Sequence, residues 1–429
     1  MVELTRMPAF GPRVMRMIGQ KWFQLLAGLV LAVLLPVTLR YDSYPGFPEP
    51  GSAWNTIIGI CLAIGVGFHA LTHVTWFPGV RATSYVIPCF AGTYGAVLLT
   101  FFFFRLDYTR SLFLASFIIC VVWFFHAMLL TRLNTRASFA VIPFGSVDRL
   151  WSVTTADFSM LASPVIPTRM PDALIADFRE DLPTEWKHFI AEWVVGGRPA
   201  FHVKDAMETL TGRVDIEHLS ENSFGSLEPA PGYRKIKAVL DVLVALLLLP
   251  PFLLLALVVG TAIRLDSPGP VFFRQERVGY RGRLITVLKF RTMAHASGAP
   301  SADRLAAMTH AGDSRITRLG RLLRRTRVDE IPQVVNVLKG EMSWIGPRPE
   351  ARTLSIWYEE ELPFYRYRHV VRPGITGWAQ VNQGHVHEMQ DVLGKLHYDF
   401  YYIKHFSPWL DAFVAIRTVW IMMGGKGSR

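Results

Sequence analysis

The stretch AVLDVLVALLLLPPFLLLALVVGTAI, residues Ala238–Ile263, decides how the C-terminal half of this 429-residue chain meets a membrane. As a straight helix it would measure ~39 Å at 1.5 Å per residue, enough to cross a bilayer. Pro250 and Pro251 fall at its centre, where two N–H donors are lost and the rings clash with the preceding turn. A kinked transmembrane helix is one interpretation. Basic residues flank both ends, however, which favours a re-entrant helix over about residues 236–264 with both ends in one headgroup layer.

Four earlier apolar stretches predict a four-transmembrane-helix domain over residues 1–131. They cover about residues 22–39, 54–77, 84–104 and 111–130, each near the ~20 residues that span the hydrocarbon core. Hydrophobic residues make up 51% of the chain and charged residues only 18%, which is typical of a membrane protein. No Asp, Glu, Lys or Arg lies in the middle of these stretches, which argues against a transporter. Basic residues before the first stretch and after the fourth place both flanks in the cytoplasm.

Residues 132–232 predict a small cytoplasmic α/β insert domain with Rossmann-like topology. Short strands are expected at residues 137–142, 172–176 and 199–203, and apolar spacing predicts a helix over residues 184–195. The segment lacks the G-x-G-x-x-G pattern that would hold a dinucleotide, so a cofactor is not expected there. Regulation, assembly or spacing are the roles left open. The fold class is therefore membrane α/β, with a second α/β domain over residues 233–429 that includes the re-entrant helix.

The net positive charge of the chain comes from its C-terminal part. Residues 1–232 carry a net charge of −1 and residues 233–429 a net charge of +12. Such an excess indicates an anionic partner, which could be nucleic acid, a phosphorylated metabolite or a lipid surface.

An arginine stripe precedes an adjacent acid pair in this basic part. The stripe consists of Arg315, Arg318, Arg321 and Arg324, at every third residue of an amphipathic helix. Asp329 and Glu330 follow at once, and a carboxylate beside several arginines is held ionised at neutral pH. It can therefore bind a divalent cation or attack phosphorus, with the arginines offsetting the charge on phosphoryl oxygens. The alternative is a surface that touches acidic lipid headgroups.

Two further basic patterns are candidates for phosphate binding. Lys289 and Arg291 alternate with an apolar residue, so on a strand they share one face and would suit a diphosphate, although a solvated strand face fits equally well. Arg348 lies between two prolines, and that rigid display reduces the entropy lost on binding a phosphate.

Residues of about 234–423 resemble the bacterial sugar transferase domain, the catalytic core of the monotopic phosphoglycosyl transferases. The resemblance rests on five motifs in order: Lys289–Met293, Asp329–Gln333, Asn336–Gly340, Gly346–Glu350 and Arg372–Asn382. Four spans followed by a degenerate α/β insert are similar to the large members of this family. The resemblance implies that Pro250 and Pro251 mark the break of a re-entrant helix.

The same resemblance implies the reaction. The family transfers a sugar 1-phosphate from a UDP-sugar to undecaprenyl phosphate, a polyprenyl phosphate, and releases UMP. It uses Mg²⁺ and a ping-pong mechanism through a phosphosugar-aspartate, as the first membrane step of exopolysaccharide or O-antigen synthesis. The expected setting is the bacterial inner membrane, with the catalytic domain on the cytoplasmic face. Membrane lipids and a second copy of the chain are expected partners, and nucleic acid is not.

By position in the motifs, Asp329 is expected to be the nucleophile, with Glu330 as its partner near the metal. The expected phosphate and substrate ligands are Arg315, Arg324, Lys289, Arg291, Gln333 and Arg348. Two departures stand out. Glu341 replaces a common Asp, and the segment from Gln383 to His387 replaces a common Gly-x-Arg, so no sugar is assigned.

Two other functions stay open from the sequence. One is a metal-dependent glycosyltransferase that moves only the sugar and releases UDP. The other is a non-catalytic membrane scaffold that binds anionic lipid through the arginine stripe.

Overall fold

The computed structural model describes most of the chain, in two compact units, Met1–Thr211 and Gly212–Arg429. The described residues are 17–43, 51–75, 83–134, 136–214, 229, 231–293, 315–362, 364–383 and 389–423. All but the first residue of the segment from Gln383 to His387 lies outside them.

The first unit begins with long apolar helices. They are α1 (Lys21–Leu29), a π-helical stretch (Val30–Leu34), α2 (Leu35–Ser43), α3 (Ser52–Val74), α4 (Thr83–Phe103) and α5 (Arg110–Asn134). Within the described residues of the whole chain, five helical stretches are long and apolar enough to cross a membrane. The prediction of several apolar N-terminal helices is confirmed, while the number of crossings stays a prediction.

Small residues let these helices pack closely. A Cβ atom built on Gly59 would lie 2.5 Å from the Phe101 ring, and one on Gly67 would lie 2.7 Å from the Phe90 ring. Glycine at such contacts allows helix backbones to approach, which is the usual basis of packing between helices in lipid.

A parallel sheet follows, and it confirms the predicted α/β region. The strands are β1 (Ser138–Val141), β2 (Asp157–Met160), β3 (Ala173–Ala176) and β4 (Ala200–His202), with helices α6 (Thr184–Val195) and α7 (Val203–Thr211). The sheet order is β2-β1-β3-β4, and every pair is parallel. Strand β2 is a mostly exposed edge strand of four residues, and the sequence does not predict it.

The second unit opens with one long helix, α8 (Pro231–Asp266), which contains Pro250 and Pro251. The antiparallel strands β5 (Phe272–Val278) and β6 (Leu284–Phe290) follow, paired from Phe272↔Phe290 to Val278↔Leu284. Next come α9 (Arg318–Arg325), a 3₁₀ helix (Val328–Gln333) and α10 (Val334–Leu338).

The remainder of the unit contains a second small sheet between helices. Its elements are β7 (Ser343–Ile345), α11 (Arg352–Glu361), a 3₁₀ helix (Tyr365–Val370), β8 (Gly374–Thr376), α12 (Trp378–Asn382), α13 (Met389–Lys404) and α14 (Pro408–Met423). Strands β7 and β8 are parallel. The core packs Phe252, Val259 and Ile263 of α8 against β6, α9 and α10, so the apolar face of α8 belongs to the same core as the elements that carry the acid pair.

Both halves of α8 are bonded to this one unit. Near its start, Lys237 Nζ lies 2.7 Å from Asp411 Oδ2. Near its end, Arg291 Nη2 donates to the carbonyl of Ile263 at 3.3 Å. The two ends of the helix therefore contact the same compact body.

Candidate active site

The acid pair lies on the 3₁₀ helix Val328–Gln333, directly after α9. Thr317 caps α9 by accepting a hydrogen bond from the Gly320 N–H at 2.9 Å. A Cβ atom on Gly320 would lie 2.0 Å from the Thr292 carbonyl oxygen, so only glycine permits this approach of α9 to the end of β6. Arg327, with φ of 58°, turns the chain into the 3₁₀ helix.

Glu330 is buried and fully engaged by cations. Its Oε1 accepts from Lys289 Nζ at 2.8 Å and from Arg348 Nη2 at 2.7 Å. Its Oε2 lies 3.5 Å from Arg327 Nη1. Burial raises the pKa of a carboxyl group, but the charges of Arg348 and Lys289 outweigh it and hold the pKa of Glu330 well below its usual value. Glu330 is therefore a permanent anion at neutral pH.

Asp329 is buried beside Glu330 but is not engaged in the same way. It is 9% exposed, and its carboxylate accepts no hydrogen bond from the part of the chain that the structure describes. Burial and the negative charge of Glu330 raise its pKa, while Lys289, Arg348 and Arg324 oppose that shift. The oxygens of Asp329 therefore remain available to a ligand.

Arg324 lies in the last turn of α9, and its charge acts on Asp329. Its Nε donates to Thr292 Oγ1 at 2.9 Å, which fixes the guanidinium from the neighbouring strand end. The sequence does not indicate this role for Thr292, although the residue lies in the Lys289–Met293 motif. Nothing in its local pattern points to Arg324, which is 32 residues away.

The structure separates two bases that the strand pattern placed together. Lys289 faces Glu330, and burial lowers the pKa of Lys289 to about 8 despite the opposing charge of Glu330. Arg291 instead donates to the carbonyls of Pro268 and Ser267 and to that of Ile263 at the end of α8. Strand β6 ends at Phe290, so the alternation no longer governs Arg291, and this residue holds the end of α8.

The other predicted ligands are placed differently from one another. Gln333 is buried on the same 3₁₀ helix, three residues after Glu330, which puts the two side chains on one side of that helix. Arg315 is exposed, ahead of α9. Roles for Arg291, Gln333 and Arg315 in binding substrate stay predictions.

Asn336 is a further residue whose role the sequence did not indicate. Its Oδ1 accepts from the Leu288 N–H at 3.2 Å, and its Nδ2 donates to the Thr286 carbonyl at 2.8 Å. The same Nδ2 lies 2.7 Å from Glu341 Oε2. The amide thus ties α10 to β6, and the glutamate at position 341 completes that link.

Of the acid pair, Asp329 is the residue that could contribute an oxygen ligand to a magnesium ion. No group of three or more His, Cys, Asp or Glu side chains with metal-binding proximity occurs among the described residues. Mg²⁺ does not need one, since it is commonly held by one or two carboxylates together with substrate phosphates and water. Asp329 offers uncommitted oxygens for such a site, whereas both oxygens of Glu330 are engaged by Lys289, Arg348 and Arg327.

The chain is also similar to proteins of a known family. A family model described as bacterial sugar transferase matches residues 232–425. The UDP-N-acetylgalactosamine-undecaprenyl-phosphate N-acetylgalactosaminephosphotransferase of Aeromonas hydrophila is 40% identical over 405 residues, which make up 94% of each chain.

Two relatives match less than half of this chain, and both are named UDP-glucose:undecaprenyl-phosphate glucose-1-phosphate transferase. The protein of Xanthomonas campestris pv. campestris is 40% identical over 44% of this chain and 39% of its own length. That of Caulobacter vibrioides is 42% identical over 43% of this chain and 68% of its own length.

These matches confirm the family and the enzymatic class predicted from the motifs. The family model spans the residues that build the acid pair and its cations, and the Aeromonas protein extends the similarity through the apolar helices and the parallel sheet. Similarity at this level, running through both compact units, shows that the chain belongs to the bacterial sugar transferase family.

Proposed function

We propose that this protein transfers a sugar 1-phosphate from a UDP-sugar to undecaprenyl phosphate and releases UMP. The observation that carries the proposal is the contrast between two adjacent buried acids. Glu330 is neutralised by three cationic side chains, whereas Asp329 keeps its oxygens uncommitted beside the same cations. The unpaired oxygens of Asp329 are not sealed off from solvent, so this side chain can present an oxygen to a phosphorus atom that enters the site.

The first half-reaction uses Asp329 as the nucleophile. An Oδ atom of Asp329 forms a bond to the β-phosphorus of the UDP-sugar, and the bond from that phosphorus to the bridging oxygen breaks. UMP leaves with the electron pair, and the sugar phosphate stays on Asp329. Arg324, Lys289 and Arg348 offset the charge on the phosphoryl oxygens.

In the second half-reaction, a phosphate oxygen of the lipid attacks the same phosphorus. The bond to Asp329 breaks, the carboxylate is regenerated, and a polyprenyl diphosphate sugar leaves. Covalent catalysis of this kind spares the site from holding two anionic substrates together. Mg²⁺, held by Asp329 next to Glu330, would supply charge compensation on the diphosphate.

The long helix α8 supports a re-entrant geometry in the membrane. Its Lys237 and Ile263 are 26 residues apart, ~39 Å along a straight helix, yet both are bonded to the same unit. A full crossing would place those contacts on opposite faces of the bilayer. Leu254, Leu257 and Val258, just after the prolines, are 67–69% exposed, which suits contact with lipid. The catalytic unit would then lie on the cytoplasmic face of the inner membrane, where UDP-sugars are made.

The reaction is tested with purified full-length protein, Mg²⁺, undecaprenyl phosphate and a panel of UDP-sugars. We expect UMP as the released nucleotide, since the phosphate moves with the sugar. The panel includes UDP-N-acetylgalactosamine and UDP-glucose, the donors in the names of the relatives. Without the lipid, one equivalent of UMP per enzyme should appear, with a sugar-phosphate adduct on the Asp329 peptide. Release of UDP would contradict the proposal and favour a glycosyltransferase, and no release at all would favour a scaffold.

The membrane geometry has its own test in a Cys61→Ala background, since Cys61 is the exposed cysteine among the described residues. A cysteine at Asp266, exposed at the end of α8, should react with an impermeant thiol reagent only from the cytoplasmic side. A cysteine at Leu106, in the loop between α4 and α5, is the control and should react from the outside. Outside labelling at position 266 would mean that α8 crosses the membrane.

A further inference from the structure

The segment Gly346–Glu350, which presents Arg348 to Glu330, is held in place by hydrogen bonds to its backbone. Gly346 N–H donates to the Thr376 carbonyl at 2.9 Å, and the Pro347 carbonyl accepts from the Gly374 N–H at 2.9 Å. The Glu350 carbonyl accepts from the Val278 N–H at 3.1 Å. The two carbonyls in the middle, those of Arg348 and Pro349, have no such backbone partner among these bonds.

Two guanidinium groups, one buried and one half-buried, hold those middle carbonyls. Arg368 Nη2 donates to the Arg348 carbonyl at 2.8 Å, and Arg277 Nη1 donates to the Pro349 carbonyl. A hydrogen bond from a charged donor is roughly twice as strong as a neutral one. The part of the segment that carries the functional side chain is therefore fixed by charged donors, which come from β5 and from the 3₁₀ helix Tyr365–Val370.

Arg368 is fixed by several hydrogen bonds, so it can hold the backbone of Arg348 in one position. Its side chain is 2% exposed, and its Nε and Nη2 both donate to Asp399 Oδ2, at 3.0 and 2.7 Å. Its Nη1 donates to the Tyr365 hydroxyl at 2.6 Å. The planar fork of arginine makes all these bonds and the bond to Arg348 in one fixed geometry, which lysine cannot reproduce.

A second ion pair braces the end of the same segment. The Glu350 carboxylate accepts from Lys395 Nζ and lies 4.0 Å from Arg368 Nη1. Although burial opposes it, the charges of Lys395, Arg368 and Arg277 hold the pKa of Glu350 well below its usual value. Glu350 thus stays charged and keeps both basic residues in place.

We propose that Arg368 is a positioning residue, which aligns the Arg348 guanidinium on Glu330 by fixing the Arg348 carbonyl. The inference rests on the proposed function, because Arg348 and Glu330 are placed in its machinery. Arg368 itself touches neither member of the acid pair in the hydrogen bonds and ion pairs of the described residues. It acts through the backbone of position 348.

The test is Arg368→Lys, with Arg366→Lys as its matched control on the same 3₁₀ helix, where the Arg366 side chain is 81% exposed. We expect the rate of the UMP burst to fall about 100-fold in Arg368→Lys, since a misplacement near 1 Å costs that much, while the burst amplitude stays at one per folded enzyme. Arg366→Lys should match the wild type.

A double-mutant cycle separates positioning from a merely structural role. If Arg368 acts through Arg348, then Arg368→Lys should add little to the loss already caused by Arg348→Lys. Independent, multiplying effects would overturn the proposal, as would a wild-type burst rate in Arg368→Lys. If that variant does not fold, Tyr365→Phe removes one partner of Arg368 and should slow the burst several-fold at unchanged amplitude; an unchanged rate would count against the proposal. A wild-type enzyme that releases no UMP would instead refute the proposed function.

Discussion

Two buried aspartates, one in each compact unit, differ in the hydrogen bonds that their carboxylates accept. Asp177, at the end of strand β3, has a side chain that is 3% exposed. Its Oδ2 accepts from the Ser146 N–H at 3.2 Å, and its Oδ1 accepts from the Arg179 N–H at 3.2 Å. His202 Nε2 lies 3.2 Å from Oδ1. Asp329 in the other unit is comparably buried but has no such donors among the described residues.

The contrast distinguishes a structural acid from a chemical one. Burial opposes ionisation of Asp177, but the bonds from Arg179 and Ser146 hold its pKa below the usual value. Burial and Glu330 raise the pKa of Asp329. A carboxylate that is fully hydrogen-bonded stabilises the fold, whereas one that lacks partners weakens it and is kept where the reaction needs it.

The largest effect should come from Asp329→Asn. Without the nucleophile, we expect the rate of UMP release to fall by at least about 10³-fold. The same change removes a buried, unpartnered charge, so the thermal midpoint should stay level or rise. Single-turnover UMP release and a melting curve measure the two effects. Glu330→Gln is the comparison, and it should lower both activity and the midpoint because it leaves Lys289 and Arg348 without their anion. A fully active Asp329→Asn variant would show that Asp329 is not the nucleophile.

A smaller effect should appear in the pH dependence of catalysis. The pKa of Lys289 is lowered to about 8, and the cation is needed to hold Glu330 and offset phosphoryl charge. Activity should therefore be present below pH 8 and be lost as the pH rises through about 8. In Lys289→Arg the alkaline limb should move to higher pH, because arginine stays protonated throughout this range. The profile of kcat/KM measures this, with the exposed Lys187→Arg as control. An unmoved limb in Lys289→Arg would exclude Lys289 as its source.

The smallest effect on catalysis should come from Asp177→Asn. We expect the sheet of residues 136–211 to lose about 1–3 kcal/mol of stability, since donors to a buried anion are left poorly paired, while UMP release per folded enzyme is unchanged. Hydrogen exchange of peptides from this region measures the opening free energy. Because the folded pKa of Asp177 is depressed, its contribution is present above its unfolded pKa and lost as pH falls through the folded one. Asp181→Asn, whose side chain is 96% exposed, should change nothing. A catalytic defect in Asp177→Asn would contradict its purely structural role.

Elements with strong local patterns were predictable from the sequence, and those without them were not. The helix over residues 184–195 and three strands of the parallel sheet follow from apolar spacing and lie where predicted. Strand β2 is not predicted, because its alternation of polar and apolar residues covers only the four positions Asp157–Met160. Arg291 was grouped with Lys289 by the period of a strand, but that strand ends one residue earlier.

The candidate site divides in the same way. The acid pair, Arg324 and Arg348 could be named from motifs, since they lie in short, dense runs of chemically distinctive residues. The supports of the site, Thr292, Asn336 and Arg368, could not, because each acts on a partner 20 to 50 residues away and looks ordinary in its own surroundings.

Sequence alone determined that the chain has long apolar helices, an α/β region and a basic catalytic part, because hydropathy, period and charge are local properties that need no partner. Only the tertiary structure decided which acid is neutralised and which is left uncommitted. Lys289 lies 41 residues before Glu330 and Arg348 lies 18 residues after it. Two adjacent carboxylates differ in the composition of their surroundings, and that composition exists only once distant strands and loops have packed around them.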